Sequence, residues 1–302
     1  MASNEFSGKS ALILGCGYVG TAVGRYLTER GATVTALTRN ADRIAEAKEW
    51  AASAVACDLD SRDWHSQVDA RQDYVLNCVS SAGGGLDGYR KSYVGGMESI
   101  LEWAAQADIG TFAYTSATSV YPHSDGSLVT EEDVPSDLTA SGALLRESEV
   151  LVESASGAWQ RAFILRLGAI YGPTRHHLLD ALKRGQTTFP GEADFYLNYI
   201  HLDDILSATI AAFSAGASHT GGAFNVIDGA YPTKREVVEW LAEQIGVEKP
   251  VFDPGQQTAR AANRTNPVGQ MPNRRVSNEK LRRELGWSPK YPSYREGYAA
   301  FL

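Results

Sequence analysis

Gly15-Cys16-Gly17-Tyr18-Val19-Gly20 directly follows the apolar run Ser10-Ala11-Leu12-Ile13-Leu14. Val19, Val23, Tyr26 and Leu27 then repeat at i, i+4, i+7 and i+8. This is a strand, a turn and an amphipathic helix, with G-x-G-x-x-G spacing at the junction. Each glycine has its own task there. Gly15 permits the tight bend, Gly17 lets a pyrophosphate approach the backbone, and Gly20 lets helix and strand pack closely. The helix N-terminus offers N–H groups and partial positive charge to the phosphates. Gly15, Gly17, Tyr18, Val19 and Gly20 are therefore the expected pyrophosphate contacts of a dinucleotide.

The second apolar run, Thr33-Val34-Thr35-Ala36-Leu37, ends in Thr38-Arg39-Asn40, about two dozen residues beyond Gly15. A chain that reads the ribose 2′-hydroxyl of NAD needs Asp or Glu at this point. None is present, and Arg39 suits a 2′-phosphate, with Thr38 and Asn40 adding hydrogen bonds. The expected cofactor is NADP(H) rather than NAD(H). Asn40 also reads as the N-cap of a helix starting at Ala41. Asp58 and Leu59 follow the third run, Ala54-Val55-Ala56-Cys57. There a carboxylate can accept from the adenine amino group and an aliphatic side chain can touch the ring; an Asx-turn explains Asp58 almost as well.

The elements that hold these residues repeat. Tyr74–Val79, Thr111–Thr115 and Ala162–Leu167 are further short apolar runs, separated by helical stripes such as Met97, Leu101, Ala104 and Ala105. Repeated βα units require right-handed crossovers and a parallel sheet, so the expected fold is α/β, a doubly wound Rossmann sheet. After Tyr171-Gly172-Pro173 the rhythm changes to helical segments at 177–184, 203–213, 234–245 and 278–285 between Gly/Pro-rich loops. Residues 1–170 are expected to form the cofactor domain, with 203–226 returning to it. Residues 171–302 are expected to form a smaller substrate-binding lobe, in which polar 256–270 reads as a flap.

Composition narrows the partners. The 302 residues are 43% hydrophobic and 21% charged, with a net charge of −8. That balance suits a packed globular protein and argues against nucleic acid or anionic membrane as partner, leaving a small molecule. No apolar run approaches the ~20 residues of a membrane span. Cys16, Cys57 and Cys78 form no C-x-x-C pair, which fits a reducing cytoplasm. His176 and His177 are adjacent, so on a helix they diverge, and no ligand-spaced partners accompany them; no metal site is expected.

Taken in order, several segments resemble the extended short-chain dehydrogenase/reductases, the NAD(P)-dependent epimerase/dehydratase family. They are the glycine loop, Asn77-Cys78-Val79-Ser80, Tyr114 to Tyr121, Arg166 to Pro173, Tyr199 to Asp204, Phe224-Asn225-Val226 and Arg275 to Leu281 with Gly286-Trp287. The tail through Tyr291-Pro292-Ser293-Tyr294-Arg295-Glu296-Gly297 is similar to the branch termed atypical. The resemblance implies that Val79, Ser80 and Leu167 lie along the cofactor. It also implies that Ser81, Arg175 and His176 face a sugar-like or anionic substrate, Arg175 and His176 competing with a reading as solvated surface residues. A homodimer through helices Tyr93–Ala107 and Ser141–Ala155 is implied as well. Asp203 and Asp204 beside His201 match a structural element of that family.

The family's catalytic residues do not carry over. Members that move a hydride use a Tyr, a Lys four residues later, and a Ser or Thr ending the fifth strand. Aligning the helix Pro135–Val152 on Glu149 puts Ser141 at the Tyr position and Leu145 at the Lys position. Ala117 stands at the Ser position, and Tyr93 where an Asn would support the proton relay. Residues 138–156 contain neither Tyr nor Lys. If a proton donor has moved, Tyr93 is its first candidate and Tyr121 its second, with Ser116 and Thr118 as strand-end hydroxyls. Two functions follow. One is an NADP(H)-dependent oxidoreductase, epimerase or dehydratase acting on a sugar-like or small carbonyl or alcohol. The other is a non-catalytic NADPH-binding sensor or scaffold.

Overall fold

A computed structural model describes residues 4–81, 83–133, 138–155, 157–256 and 270–302. Its main sheet has seven strands. Five are β1 (Ser10–Leu14), β2 (Thr33–Thr38), β3 (Ser53–Ala56), β4 (Arg71–Asn77) and β5 (Asp108–Ala117), joined by Arg161–Leu167 and Gly221–Val226. The order across the sheet is Gly221–Val226, Arg161–Leu167, β5, β4, β1, β2, β3. β1 pairs in parallel with β2 and β4, β2 with β3, and β4 with β5. Leu14 is in register with both Leu37 and Asn77, so the carboxyl ends of β1, β2 and β4 share one edge. The chain changes direction across the sheet between β1 and β4. That switch point is where a doubly wound sheet opens a crevice for ligands.

Burial on both faces explains the continuous apolar strands. Leu12, Ile13, Leu14, Val75, Leu76, Phe112, Ala113 and Tyr114 are all fully buried, as a parallel sheet covered by helices requires. Helix α1 (Tyr18–Glu29) turns Val19, Val23 and Leu27 inward and leaves Tyr26 half-buried. Asn40 caps α2 (Ala41–Ala47), its side chain accepting from the Asp42 and Arg43 N–H groups at 2.9 and 3.2 Å.

Two local expectations shift. β4 leaves the ladder at Asn77, two residues before the apolar run ends, because Cys78 and Val79 must pass Gly15. A Cβ on Gly15 would lie 2.8 Å from the Val79 nitrogen. The stripe 97, 101, 104, 105 is replaced on α4 (Gly96–Ala104, following α3 at Gly85–Tyr89) by Met97, Ile100, Trp103 and Ala104. Leu101 is only half-buried and Ala105 is exposed. A six-residue π turn, Arg90–Gly95, precedes α4, where sequence periodicity expects plain α-helix.

The chain divides into two compact units. One comprises Met1–Ala117, Ala143–Arg166 and Leu206–Phe224; the other comprises Thr118–Gly142, Leu167–Ile205 and Asn225–Leu302. Residues 118–142 therefore fall outside the first unit, whereas the sequence places them within the first 170. The reason is long-range pairing: Leu128–Val129 runs parallel to Arg275–Val276, and the Gly126 N–H donates to the Asn273 carbonyl. The first unit has a core that includes Leu14, Trp64, Met97, Phe112 and Ile164. The second has its own, with Tyr171, Leu179, Phe189, Tyr199, Val238 and Tyr298. Pro135, and all of the expected flap except Gln256 and Gln270, lie outside the described residues. Among the described residues no helix is long and apolar enough to cross a membrane.

Candidate functional site

At the carboxyl ends of β1 to β4, the first unit holds a cavity of about 400 Å³. Gly15, Gly17, Thr38, Arg39, Asn40, Asp58, Leu59, Val79 and Ser80 line it, all of them expected at the cofactor. The glycines behave differently from one another. Gly15 has φ +103°, which favours glycine, and a Cβ on Gly20 would land on the Gly15 carbonyl oxygen. The chain's own packing demands those two. Gly17 has an ordinary φ of −87°, and a Cβ there would meet no atom within 4 Å. Its missing side chain leaves room in the cavity, at the N-cap of α1, as close approach of a pyrophosphate requires. The site fits a dinucleotide. Val19 and Gly20 are buried and support the loop from behind, while Leu167 is buried at its strand end. Tyr18, Val19, Gly20, Ser81 and Leu167 are not among the lining residues.

Charge at the mouth is arranged around Asp58. Arg39 Nη1 lies 3.5 Å from Asp58 Oδ1, and Lys91 Nζ lies 3.2 Å from Oδ2 and 3.6 Å from Asp60 Oδ1. The carboxylate expected to face adenine thus has each oxygen turned to a cation. Its hydrogen bond from Lys91 is the main cause of a raised Lys91 pKa, followed by the charges of Asp60 and Asp58. Lys91, Ser92 and Arg43 line the cavity but escape the sequence reading. Arg43 had a signal, standing four residues after Arg39 in the first turn of α2. Lys91 and Ser92 sit on the π turn, which periodicity does not reveal.

The candidate proton donors are placed elsewhere. Tyr93 packs against the first unit's core, its ring 5.2 Å from that of Tyr89, and burial pushes its phenol up to about 12. It is not among the residues lining this cavity, and its phenol is hydrogen-bonded to the Ser81 backbone in the loop after β4. The Tyr93 carbonyl accepts from Ser148 Oγ at 3.0 Å. Ser116 Oγ donates to Glu149 Oε1 at 2.7 Å. Glu149 is fully buried and also takes hydrogen bonds from Arg166 Nε and Nη2 (3.0 and 2.8 Å) and Arg146 Nη1 (3.0 Å). Ser116 belongs to a buried ionic cluster that ties α5 (Ala140–Ser154) to the sheet.

In the second unit, Thr118 is buried in a 3₁₀ turn, and its carbonyl accepts from Arg274 Nη2 at 2.6 Å. Tyr121 is fully buried and donates to Asn225 Oδ1 at 2.9 Å; Asn225 Nδ2 donates in turn to the Ser277 carbonyl at 3.0 Å. These are contacts that hold a fold together. Arg175 is exposed beside a tight turn closed by two Gly172–Arg175 backbone bonds, with Thr174 in the left-handed region at φ +62°. A β-branched residue there is strained. His176, expected toward substrate, has Nδ1 2.8 Å from Asp180 Oδ1 and its ring 5.2 Å from Phe301. Asp204 is fully buried and accepts from the Lys290 and Tyr291 N–H groups at 2.6 and 3.2 Å, pinning the C-terminal segment; burial pushes its pKa up to about 6. Among the described residues no group of three His, Cys, Asp or Glu could hold a metal ion.

With this geometry in hand, the model of the NAD dependent epimerase/dehydratase family matches residues 11–226. The chain belongs to that family. A relative from Streptomyces sp, "3-diazoavenalumate denitrifying reductase", is 27% identical over 93% of this chain and 96% of its own. Among solved structures, a functionally unknown conserved protein from Silicibacter pomeroyi DSS is 24% identical with a TM-score of 0.76, covering 97% of both chains. The UDP-glucuronic acid 4-epimerase of Bacillus cereus, solved with UDP-glucuronic acid and NAD, is 18% identical with a TM-score of 0.78. It covers 95% of this chain and 96% of its own. The solved structures share the fold.

In this epimerase/dehydratase family member, Ser141 is buried with Oγ 3.5 Å from Thr139 Oγ1, and Leu145 is buried apolar packing. Neither can act as the activated phenol or its lysine. A serine hydroxyl titrates far above neutral pH and needs an adjacent base before it can move a proton.

Proposed function

We propose that this family member is an NADP(H)-dependent reductase of a small, sugar-like or otherwise activated electrophile. The observation that carries the reading is the end of β2: Thr38, Arg39 and Asn40 all line the cavity, with a guanidinium at the place of the acid that reads an unphosphorylated ribose. Bound NADP(H) would bring the capacity to give or take a hydride. Gly17 and the first turn of α1 would hold the pyrophosphate, Arg39 the 2′-phosphate, and Leu59 the adenine face.

Proton supply favours reduction. Epimerisation and dehydration in this family begin by oxidising an alcohol, which needs a base on its O–H. Partial burial pushes the Tyr93 phenol up to about 12, Ser116 is bonded to Glu149, and Leu145 replaces the lysine. Reduction asks less, because its product can take a proton from solvent. The Streptomyces relative, named as a reductase, supports the same direction. A cytoplasmic location belongs to this proposal, supported by the three free cysteines.

Titration calorimetry tests it. NADPH should bind more tightly than NADH, and Arg39→Ala should erase the difference. NADPH consumption should then appear over a panel of nucleotide-sugar ketones, simple carbonyls and 3-diazoavenalumate. Equal affinities for the two cofactors would refute the cofactor assignment. Tight NADPH binding without turnover across the panel would favour a sensor or scaffold, the second reading, which the same pinned hydroxyls support.

A further inference from the structure

We infer that Lys91 is the second cation of the 2′-phosphate subsite, presented there by the π turn. The inference rests on the NADP(H) reading and adds to it a residue from a separate segment of the chain. Lys91 lines the same cavity as Arg39, and one carboxylate orients both: Asp58 Oδ1 faces Arg39 at 3.5 Å and Oδ2 faces Lys91 at 3.2 Å. The two cations are held side by side at the cavity mouth before any ligand arrives. A 2′-phosphate carries about −1.5 to −2 charge near neutral pH, more than a carboxylate, so it can draw both cations from Asp58.

Charge balance makes the lysine necessary. Arg39 and Lys91 offset Asp58 and Asp60. Without Lys91 these groups would sum to −1 and repel the phosphate. Arg43, which also lines the cavity, is a weaker candidate because its Nη1 is bonded to Glu46 Oε2 at 2.5 Å on its own helix.

Backbone geometry supplies the placement. In Arg90–Gly95 the extra residue of the π turn puts Lys91 and Ser92 on the cavity while Val94 is buried and Tyr93 packs in the core. Such turns concentrate at functional positions.

The experiment uses the full chain and four probes, NADPH, NADH, 2′,5′-ADP and 5′-AMP, titrated by calorimetry into wild type, Lys91→Gln, Lys91→Arg and Arg39→Ala. Thermal melts establish that each variant is folded. Lys91→Gln should weaken NADPH and 2′,5′-ADP by roughly five- to twentyfold, the loss of one half-exposed charge-assisted contact. NADH and 5′-AMP should change by less than about threefold, and Lys91→Arg should retain most of the preference. In an Asp58→Asn background Lys91→Gln should still cost at least about threefold on 2′,5′-ADP. If that cost vanishes, Lys91 only neutralises Asp58 and the inference is wrong. It is also wrong if all four probes weaken alike. If Arg39→Ala removes the preference while Lys91→Gln keeps it, the NADP(H) reading stands and the Lys91 assignment falls. If wild type shows no preference, both fall.

Discussion

Asp228 offers a stability measurement with a defined sign. Its side chain is 5% exposed in the second unit. Oδ1 accepts from the Ala230 N–H at 3.0 Å, whereas Oδ2 has no hydrogen-bond partner. Burial is the main cause that pushes its pKa from 3.8 up to about 7; the backbone N–H groups of Ala230 and Gly229 pull the other way, and the charges of Asp204 and Glu296 add to the rise. Moving one carboxyl over that range is worth about 4 kcal/mol between its two protonation states. Between pH 4 and 7 the folded protein keeps a proton that the unfolded chain releases. The folded state therefore binds more protons, and stability falls as pH rises through that window. Asp228→Asn keeps the shape, replaces the hydroxyl of the protonated acid with an amide NH₂, and cannot ionise. Near pH 4 the variant should match wild type; at pH 8 it should be more stable by about 2–4 kcal/mol. Urea unfolding followed by tryptophan fluorescence at pH 4.5, 6 and 8 gives the difference, and other titrating groups cancel between the two proteins. A variant with the pH slope of wild type, or less stable than it at pH 8, refutes the argument.

Other expectations concern the site and the sheet. Gly20→Ala should destabilise by more than about 2 kcal/mol, because its Cβ meets the Gly15 carbonyl. Gly17→Ala should leave the melting temperature nearly unchanged yet weaken NADPH by about tenfold or more, read by calorimetry. Arg166→Met should cost roughly 3–5 kcal/mol in urea unfolding by leaving Glu149 buried beside too few cations, with part recovered on adding Glu149→Gln. Tyr93→Phe should keep NADPH affinity and any turnover found; a loss of about a thousandfold with intact binding would restore its phenol to the chemistry.

Much of this protein is legible in its sequence where the signal is local. The short apolar runs mark the strands, Asn40 marks the start of α2, and the glycine loop with Arg39 marks a cavity that both line. Non-local features are hidden. Nothing near Leu128–Val129 announces a partner at Arg275–Val276, so 118–142 read as continuous with the strands before them. The two cations that face Asp58 come from other segments, so its ion pairs are not legible beside it. Tyr93 and Met97, four apart, suggest either a core stripe or a displaced phenol; the ring packs against the core while the phenol is bonded to the Ser81 backbone, a contact no periodicity shows. One inserted residue is invisible to a periodicity averaged over 11–18 positions, and with it go Lys91 and Ser92.

The π turn also suggests how the cavity mouth could be remodelled by descent. An α-helix turns about 100° per residue. Deleting a single residue within Arg90–Gly95 would let the turn close as ordinary α-helix and swing the residues before the gap away from the cavity, while Met97, Ile100 and Trp103 kept their seats. A three-base deletion would thus do what no point substitution does: withdraw an ammonium group and a hydroxyl together. Lineages that have lost that residue should differ from this chain in how they bind a 2′-phosphorylated dinucleotide.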